Sequence, residues 1–143
     1  MSETNKAICR QLIEEVVNRG NLAVVDSLVA SSYVYHGPGG LELRGPEGFK
    51  QLVTMYRTAF PDLKMTIDDA IAEGDKVVLR WTGRGTHRGD LAGIAPTGRA
   101  TTVTGLVVSR LANGKIVEDF ESFDEVGMLR QLGVTTIPVP AHA

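Results

Sequence analysis

The segment that suggests chemistry most directly is a short stretch near the C-terminal end, where acidic and apolar residues alternate. In a β-strand from Val117 to Phe123 successive side chains would point to opposite faces, so Asp119 and Glu121 would share one face. If that face lines an apolar cavity, burial and mutual repulsion would raise the pKa of at least one carboxyl group towards neutrality. Such a group can act as a general acid or base.

The same alternation also permits the opposite arrangement. Ile116 and Phe120 fall on the other face of the predicted strand, and their burial would leave Asp119 and Glu121 in solvent. Alternation alone does not distinguish the two arrangements.

The three histidines are dispersed along the chain. His36 precedes a glycine cluster, so it is a candidate base or substrate hydrogen-bond partner at a pocket mouth, or else a surface loop residue. His87 precedes a long loop and is a candidate for the pocket rim. His142 lies in a proline-bearing tail. No HxH or HExxH spacing occurs, so the sequence predicts no required metal ion.

Large side chains could form the apolar wall of a ligand pocket, although most such residues simply fill a core. The subset that faces a cavity would favour a flat, hydrophobic ligand. The candidates are Tyr35, Met55, Tyr56, Phe60, Trp81 and Phe123. Neither a GxxxxGK[ST] phosphate loop nor a GxSxG nucleophile motif is present.

Length and composition indicate one globular domain. The chain has 143 residues, of which 43% are hydrophobic and 22% charged, and its net charge is −2 with scattered Lys and Arg, which argues against a nucleic-acid partner. Cys9 stands alone, so no disulfide framework is possible within the chain. No apolar run is long enough for a signal or a membrane span, so a cytoplasmic location is expected. We assign 1–133 to the domain and 134–143 to a tail.

In the N-terminal part of the chain, up to about Phe60, apolar residues recur at helical spacing. This spacing predicts a helix from Asn5 to Arg19, a short second helix capped by Asn21, and a third helix from Pro46 to about Phe60. A short strand at 33–36 and a flexible glycine loop at 37–40 separate the last two.

From Leu63 the period changes to two, which predicts two long hairpins. Glu73-Gly74-Asp75 turns the first hairpin, and Asn113-Gly114 joins strands at 101–111 and 115–123. Between the hairpins lies a loop at 88–99, which is long enough to form a lid or rim over a functional site. Asp124 can cap a final short helix. The fold class is therefore α+β, with helices on one face of a strongly bent sheet.

Four motifs, in this order, resemble the SnoaL-like polyketide cyclase family. They are Gly85-Thr86-His87-Arg88-Gly89, Gly93-Ile94-Ala95-Pro96-Thr97-Gly98, Asn113-Gly114-Lys115-Ile116-Val117 and Gln131-Leu132-Gly133. The resemblance implies a cone-shaped nuclear-transport-factor-like fold in which three helices pack on a strongly curved antiparallel sheet and enclose a pocket. It also implies a homodimer or homotetramer.

The resemblance further implies a cofactor-free and metal-free intramolecular aldol condensation, with an acidic residue on the last strand as acid and base. Glu121 corresponds to that residue, although the cyclases carry aspartate there, and the implied arrangement turns Asp119 and Glu121 inwards. A pocket histidine of the cyclases falls at Val107. Tyr35 and His36 could polarise a ligand carbonyl. Asp124 is a secondary candidate whose position favours helix capping.

Several functions remain open from the sequence. The first is acid/base cyclisation or isomerisation of a small hydrophobic carbonyl compound, with Glu121, Asp119 and His36 as catalytic candidates and Tyr35, Met55, Phe60, Trp81, His87 and Phe123 as substrate-binding candidates. The alternatives are an epoxide-hydrolase-like or dehydratase-like pocket enzyme, a non-catalytic module that binds a small hydrophobic molecule, and an oligomeric scaffold.

Overall fold

The computed structural model describes residues 2–134, which form a curled and unclosed six-stranded sheet with helices against its inner face. The α+β fold class is confirmed. The predicted tail beyond Val134, including His142, lies outside the described residues.

The first predicted helix is present as one continuous segment. It begins as α1 (Ser2–Gln11) and widens into a π-helical stretch (Leu12–Asn18), which buries Leu12, Ile13, Val16 and Val17. A 3₁₀ turn (Leu22–Val24) and α2 (Val25–Leu28) follow. The prediction that Asn21 caps this second helix is wrong, because its side chain makes no capping hydrogen bond.

The glycine-rich segment after His36 is more ordered than a flexible loop. Strand β1 (Val29–His36) starts four residues earlier than predicted, and a 3₁₀ turn (Pro38–Gly40) leads into the short strand β2 (Glu42–Arg44), which pairs with it. Helix α3 (Gly45–Ala59) follows with Pro46 in its first turn, as the sequence predicts.

Both long hairpins are confirmed. Strands β3 (Lys64–Glu73) and β4 (Lys76–Thr86) form the first, and β5 (Ala100–Ala112) and β6 (Lys115–Phe123) form the second. Helix α4 (Glu125–Gln131) brings the α-helices among residues 2–134 to four, one more than the resemblance implies. No helix among residues 2–134 is long and apolar enough to cross a membrane.

The sheet order is β2-β1-β6-β5-β4-β3, so the first long strand and the last one are neighbours. They run parallel, and Tyr35 pairs with Asp119 while His36 pairs with Phe120. All other neighbouring strands are antiparallel. This central parallel pair carries the acidic segment.

Strand β6 contains a β-bulge, which determines which of its side chains share a face of the sheet. Arg110 of β5 pairs with Glu118, and the next residue, Leu111, pairs with Ile116, so Val117 is an extra residue. Ile116 therefore lies on the same face as Asp119, and it is buried, whereas Phe120 is 51% exposed. The strict alternation assumed from the sequence is wrong at this point.

Candidate active site

A cavity of about 120 Å³ lies between the helices and the inner face of the sheet. That volume is roughly ten times what one water molecule requires, so the space can hold a ligand. Its wall is mostly apolar and includes Leu12, Phe49, Leu52, Val53, Leu79, Val103, Val107 and Ile116. Two of the three acidic side chains of β6, Asp119 and Glu121, also line it.

Glu121 forms the more accessible of two tyrosine–carboxyl pairs. The Tyr35 hydroxyl on β1 donates a hydrogen bond of 2.7 Å to Glu121 Oε1. Glu121 is partly buried, and within residues 2–134 its other oxygen, Oε2, has no hydrogen-bond partner. Val107 of β5 pairs with Glu121 in the β5–β6 register.

Asp119 forms the second pair, and it is almost fully enclosed. The Tyr33 hydroxyl donates a hydrogen bond of 2.6 Å to Asp119 Oδ2, and the Ser109 hydroxyl donates a short one to Oδ1. Tyr33, Ser109 and Asp119 are each less than 5% exposed. Both oxygens of Asp119 are therefore held by fixed donors.

Burial controls the acidity of these groups. It raises the pKa of Glu121 to about 7; the Tyr35 hydrogen bond opposes this rise, and the negative charge of Asp119 adds to it. Burial also raises the pKa of Asp119, against the two hydroxyl donors. The Cys9 thiol has a pKa of about 12 for the same reason, so it stays protonated at neutral pH.

Aromatic rings pack beside the Glu121 carboxyl. Phe123 lies between Tyr56 and Trp81, with ring centroids 6.3 and 6.0 Å away. The Trp81 indole N–H is buried and lacks a well-formed hydrogen bond within residues 2–134, but it is near enough to lower the pKa of Glu121. Gly105 on β5 makes this packing possible, because a Cβ there would meet Trp81 at 2.5 Å and Phe123 at 2.7 Å.

Four of the six predicted substrate-binding residues line the cavity, namely Tyr35, Phe60, Trp81 and Phe123. Met55 is not among the lining residues and packs partly buried against the core.

His87 is also separate from the cavity lining, and it organises the adjacent loop. Its side chain is fully buried, and its Nδ1 accepts a hydrogen bond of 3.2 Å from the Thr97 backbone N–H. Its own backbone bonds to Gly98 and Arg99, which closes the base of the loop at 88–99. The contacts of His87 are thus those of a loop anchor.

The structure places His36 on the outer face of the sheet, away from the two carboxyl pairs. Its Nε2 lies 2.8 Å from Glu118 Oε2, and its ring stacks on Phe120 at 4.5 Å. Both partners belong to the β6 face opposite the cavity. His36 therefore does not join Asp119 and Glu121 in the pocket.

Asp124 caps α4. Its Oδ1 accepts a hydrogen bond of 2.8 Å from the Gly127 backbone N–H, and Asp124 is absent from the cavity lining. Helix capping, which the sequence already favoured, accounts for this side chain.

Three polar residues of the site were not identified as such from the sequence. Nothing local in the sequence connects Tyr33 to Asp119, which is 86 residues away. Ser109 lies only 10 residues from Asp119 and pairs with it across the Asn113-Gly114 hairpin, so the register of that hairpin could have identified it. Tyr56 lines the cavity and was considered only as apolar surface. Within residues 2–134 no group of three or more His, Cys, Asp or Glu side chains could hold a metal ion.

Comparisons with known proteins agree with this fold. The family model of the SnoaL-like polyketide cyclases matches residues 7–132. An aklanonic acid methyl ester cyclase of Streptomyces galilaeus is 33% identical, over 93% of this chain and 92% of its own. The corresponding cyclase of Streptomyces peucetius is 31% identical over 85% and 88%. The crystal structure of IdmH from Streptomyces antibioticus superposes with a TM-score of 0.79 at 35% identity, covering 91% of this chain and 99% of that one.

Proposed function

The chain belongs to the SnoaL-like polyketide cyclase family, and on that premise we propose that it closes a ring of a small apolar polyketide ester by intramolecular aldol condensation. The observation that carries the proposal is the Glu121 carboxyl, which lies in an apolar pocket wall with a pKa of about 7. A carboxyl with that pKa can accept and return a proton near neutral pH. Curated relatives act on aklanonic acid methyl ester, which supports an ester substrate.

The reaction needs one group that moves a proton twice. Ionised Glu121 takes a proton from the carbon beside a carbonyl, and the electron pair of that C–H bond moves onto the carbonyl oxygen as an enolate. The enolate carbon then attacks a second carbonyl of the same molecule and forms the new C–C bond. The resulting alkoxide takes the proton back from Glu121, so the product is an isomer of the substrate and no oxidant or reductant enters the balance.

Tyr35 orients the base in this scheme. Its hydroxyl is already engaged with Glu121 Oε1, so Oε2 is the oxygen that we expect to accept the substrate proton. Asp119 acts through its charge, which helps to raise the pKa of Glu121. The scheme gives no role to His36, because its contacts are with Glu118 and Phe120 on the outer face.

The test is turnover of aklanonic acid methyl ester by the parent protein and by Glu121→Gln. We expect the substitution to lower kcat by a factor of about 10² to 10⁴, the usual contribution of a general acid or base. In the parent, kcat/KM should rise tenfold per pH unit below a pKa of about 7 and level off above it.

A matched control is Glu118→Gln, which makes the same chemical change on the same strand but on the outer face. It should retain the parent's rate and pH profile. A Glu121→Gln protein that turns over the ester as fast as the parent would remove this carboxyl from the mechanism.

We also propose that the protein is a homo-oligomer formed through the outer face of the sheet. A row of apolar side chains crosses that face in register, from Ile71 through Val78 and Val108 to Phe120. Ile71 is 60% exposed and Phe120 is 51% exposed, which is unusual for a contiguous apolar row in a monomer.

Sedimentation velocity checks this second proposal. The parent should sediment as a dimer or tetramer, and Ile71→Lys combined with Phe120→Glu should yield monomers because charges replace the apolar contacts. The control is Val126→Lys, an exposed apolar residue on α4 that should leave the assembly intact. A monomeric parent would refute the proposal.

A further inference from the structure

The proposed reaction places negative charge on a substrate oxygen, and that oxygen requires a hydrogen-bond donor. Three hydroxyl donors of the pocket are already committed. Tyr35 donates to Glu121, Ser109 donates to Asp119, and Thr101 donates to the Gly85 carbonyl. None of these can serve the enolate without leaving a buried acceptor unpaired.

Tyr56 differs from these three. It lies on α3, lines the cavity, and its hydroxyl makes no hydrogen bond to any of residues 2–134. Its ring meets Phe123 edge-on, at an interplanar angle of 81°. Phe123 is two residues beyond Glu121 on the cavity side of β6, so the Tyr56 ring is held beside the catalytic carboxyl.

The electrostatics of the hydroxyl agree with this placement. Burial raises the pKa of Tyr56 above its ordinary value, and the nearby Glu121 and Glu125 carboxylates raise it further. Tyr56 therefore remains protonated at neutral pH and can donate a hydrogen bond. Its ring edge and hydroxyl approach the pocket from the helix side, whereas Glu121 approaches from the sheet.

We infer that Tyr56 is a second catalytic residue, whose hydroxyl donates a hydrogen bond to the enolate oxygen of the substrate while Glu121 holds the abstracted proton. The inference rests on the proposed function. The Tyr56 proton is shared in the hydrogen bond and is not transferred, so the atom and charge balance of the aldol step is unchanged. The substrate would lie between helix and sheet, with the reacting carbon towards Glu121 and the carbonyl oxygen towards Tyr56.

Trp81 is another uncommitted donor of the cavity lining, and it is less suited to the role. The Trp81 indole nitrogen atom is itself buried, and its N–H lowers the pKa of the Glu121 carboxyl. An N–H so enclosed cannot reach a substrate oxygen without displacing that carboxyl. Tyr56, which is partly exposed, needs no such displacement.

The first experiment measures turnover of aklanonic acid methyl ester by Tyr56→Phe, which keeps the ring and its contact with Phe123. Loss of one donor to a developing oxyanion typically lowers kcat by about 10² to 10³. We expect that loss with little change in KM, with the melting temperature of the parent, and with the pH profile still governed by a pKa near 7. A purely structural role would change KM and the melting temperature instead.

A second experiment needs no substrate. In the Glu121→Gln protein, where no carboxylate repels an anion at that position, 4-nitrophenolate is an enolate analogue whose visible absorption reports binding. Adding Tyr56→Phe should weaken its binding by about 10-fold to 100-fold, as expected for a hydrogen bond to a charged group. Binding of the neutral analogue nitrobenzene should not change.

The outcomes separate the two proposals. If Glu121→Gln turns over the ester at the parent's rate, the proposed function falls whatever Tyr56 does. If Glu121→Gln is inactive while Tyr56→Phe matches the parent, only the role of Tyr56 falls. Unchanged 4-nitrophenolate affinity in the double variant would overturn that role in the absence of any known substrate.

Discussion

Two tyrosine–carboxyl pairs stand side by side on β1 and β6, and they differ mainly in their surroundings. Tyr33–Asp119 is closed off, and the Ser109 hydroxyl occupies the remaining oxygen of its carboxyl. Tyr35–Glu121 borders the cavity and keeps one carboxylate oxygen without a partner among the described residues. In the first pair both carboxylate oxygens already accept a hydrogen bond from a fixed donor, whereas in the second pair one oxygen remains available to a ligand.

The difference shows how one structural motif can serve two purposes. A carboxylate whose oxygens are both held by fixed donors stabilises the packing around it, because losing it would leave buried hydroxyls unpaired. Burial raises the pKa of both carboxyl groups, but only Glu121 also keeps an oxygen without a hydrogen-bond partner among residues 2–134, so it is the better placed to exchange a proton with a ligand. The three predictions below test this division of roles, from the largest expected effect to the smallest.

Truncating each carboxyl should affect stability very unequally. Asp119→Ala leaves the Tyr33 and Ser109 hydroxyls buried without an acceptor, so we expect it to lower the free energy of unfolding by about 4 kcal/mol. Below pH 4.5, where Glu121 is protonated, Glu121→Ala should lower it by less than about 1 kcal/mol, because water in the pocket can reach Tyr35. Urea denaturation measures both values, and equal losses would contradict the division of roles.

The pH dependence of the free energy of unfolding should show that ionised Glu121 destabilises the folded protein. Its pKa is about 7 in the folded protein and about 4.5 ordinarily. Between these values the folded state holds a proton that the unfolded state has lost, so this group makes stability fall as pH rises. Glu121→Gln should therefore match the parent below pH 4.5 and exceed it by up to about 3 kcal/mol above pH 7.

Denaturation curves across that range, recorded for both proteins, supply the measurement. If the free energies of unfolding of the parent and Glu121→Gln differed by the same amount at every pH, burial would not raise the pKa of this carboxyl. The control is Glu118→Gln, whose half-buried carboxyl lies on the outer face and has its pKa lowered rather than raised, chiefly by the His36 hydrogen bond, so this variant should not gain stability over the parent as the pH rises.

Removing the two tyrosine hydroxyls should give the smallest and most selective effects. Tyr33→Phe should cost about 1 to 2 kcal/mol of stability, since it removes a buried hydrogen bond to a carboxylate. Tyr35→Phe should instead raise the pKa of Glu121, because the lost hydrogen bond lowers it. The acid limb of the activity profile should then move to higher pH by on the order of one unit. If Tyr33→Phe moved that limb as far as Tyr35→Phe does, the two pairs would not be functionally distinct.

Local signals in the sequence were sufficient for most of the fold. Asn113-Gly114 forms the β5–β6 turn with both residues at positive φ, and Pro46 and Pro61 bracket α3. The predicted strand at 33–36 is too short, because β1 also includes Ser31 and Ser32, which lie in an irregular stretch of its pairing with β6.

The site was less accessible to sequence reasoning because its geometry is non-local. The face of Asp119 and Glu121 could not be decided by alternation, since the bulge at Val117 places Ile116 on the same side. Tyr33 and Tyr35 are each 86 residues from their partners, and only the parallel β1–β6 pairing connects them. His36 was assigned to the pocket mouth, but its alternation on β1 turns it outwards, next to Phe120.

The parallel pairing of β1 with β6 also has a kinetic consequence. Hairpins such as β3–β4 close short loops and can form early, whereas bringing the first long strand beside the last requires closing most of the chain. A nascent chain that has not yet released β6 from the ribosome has neither tyrosine–carboxyl pair. During refolding, the spectroscopic signal of the β-strands should therefore recover before the protein regains ligand binding. The return of ligand binding would mark the docking of β6 against β1.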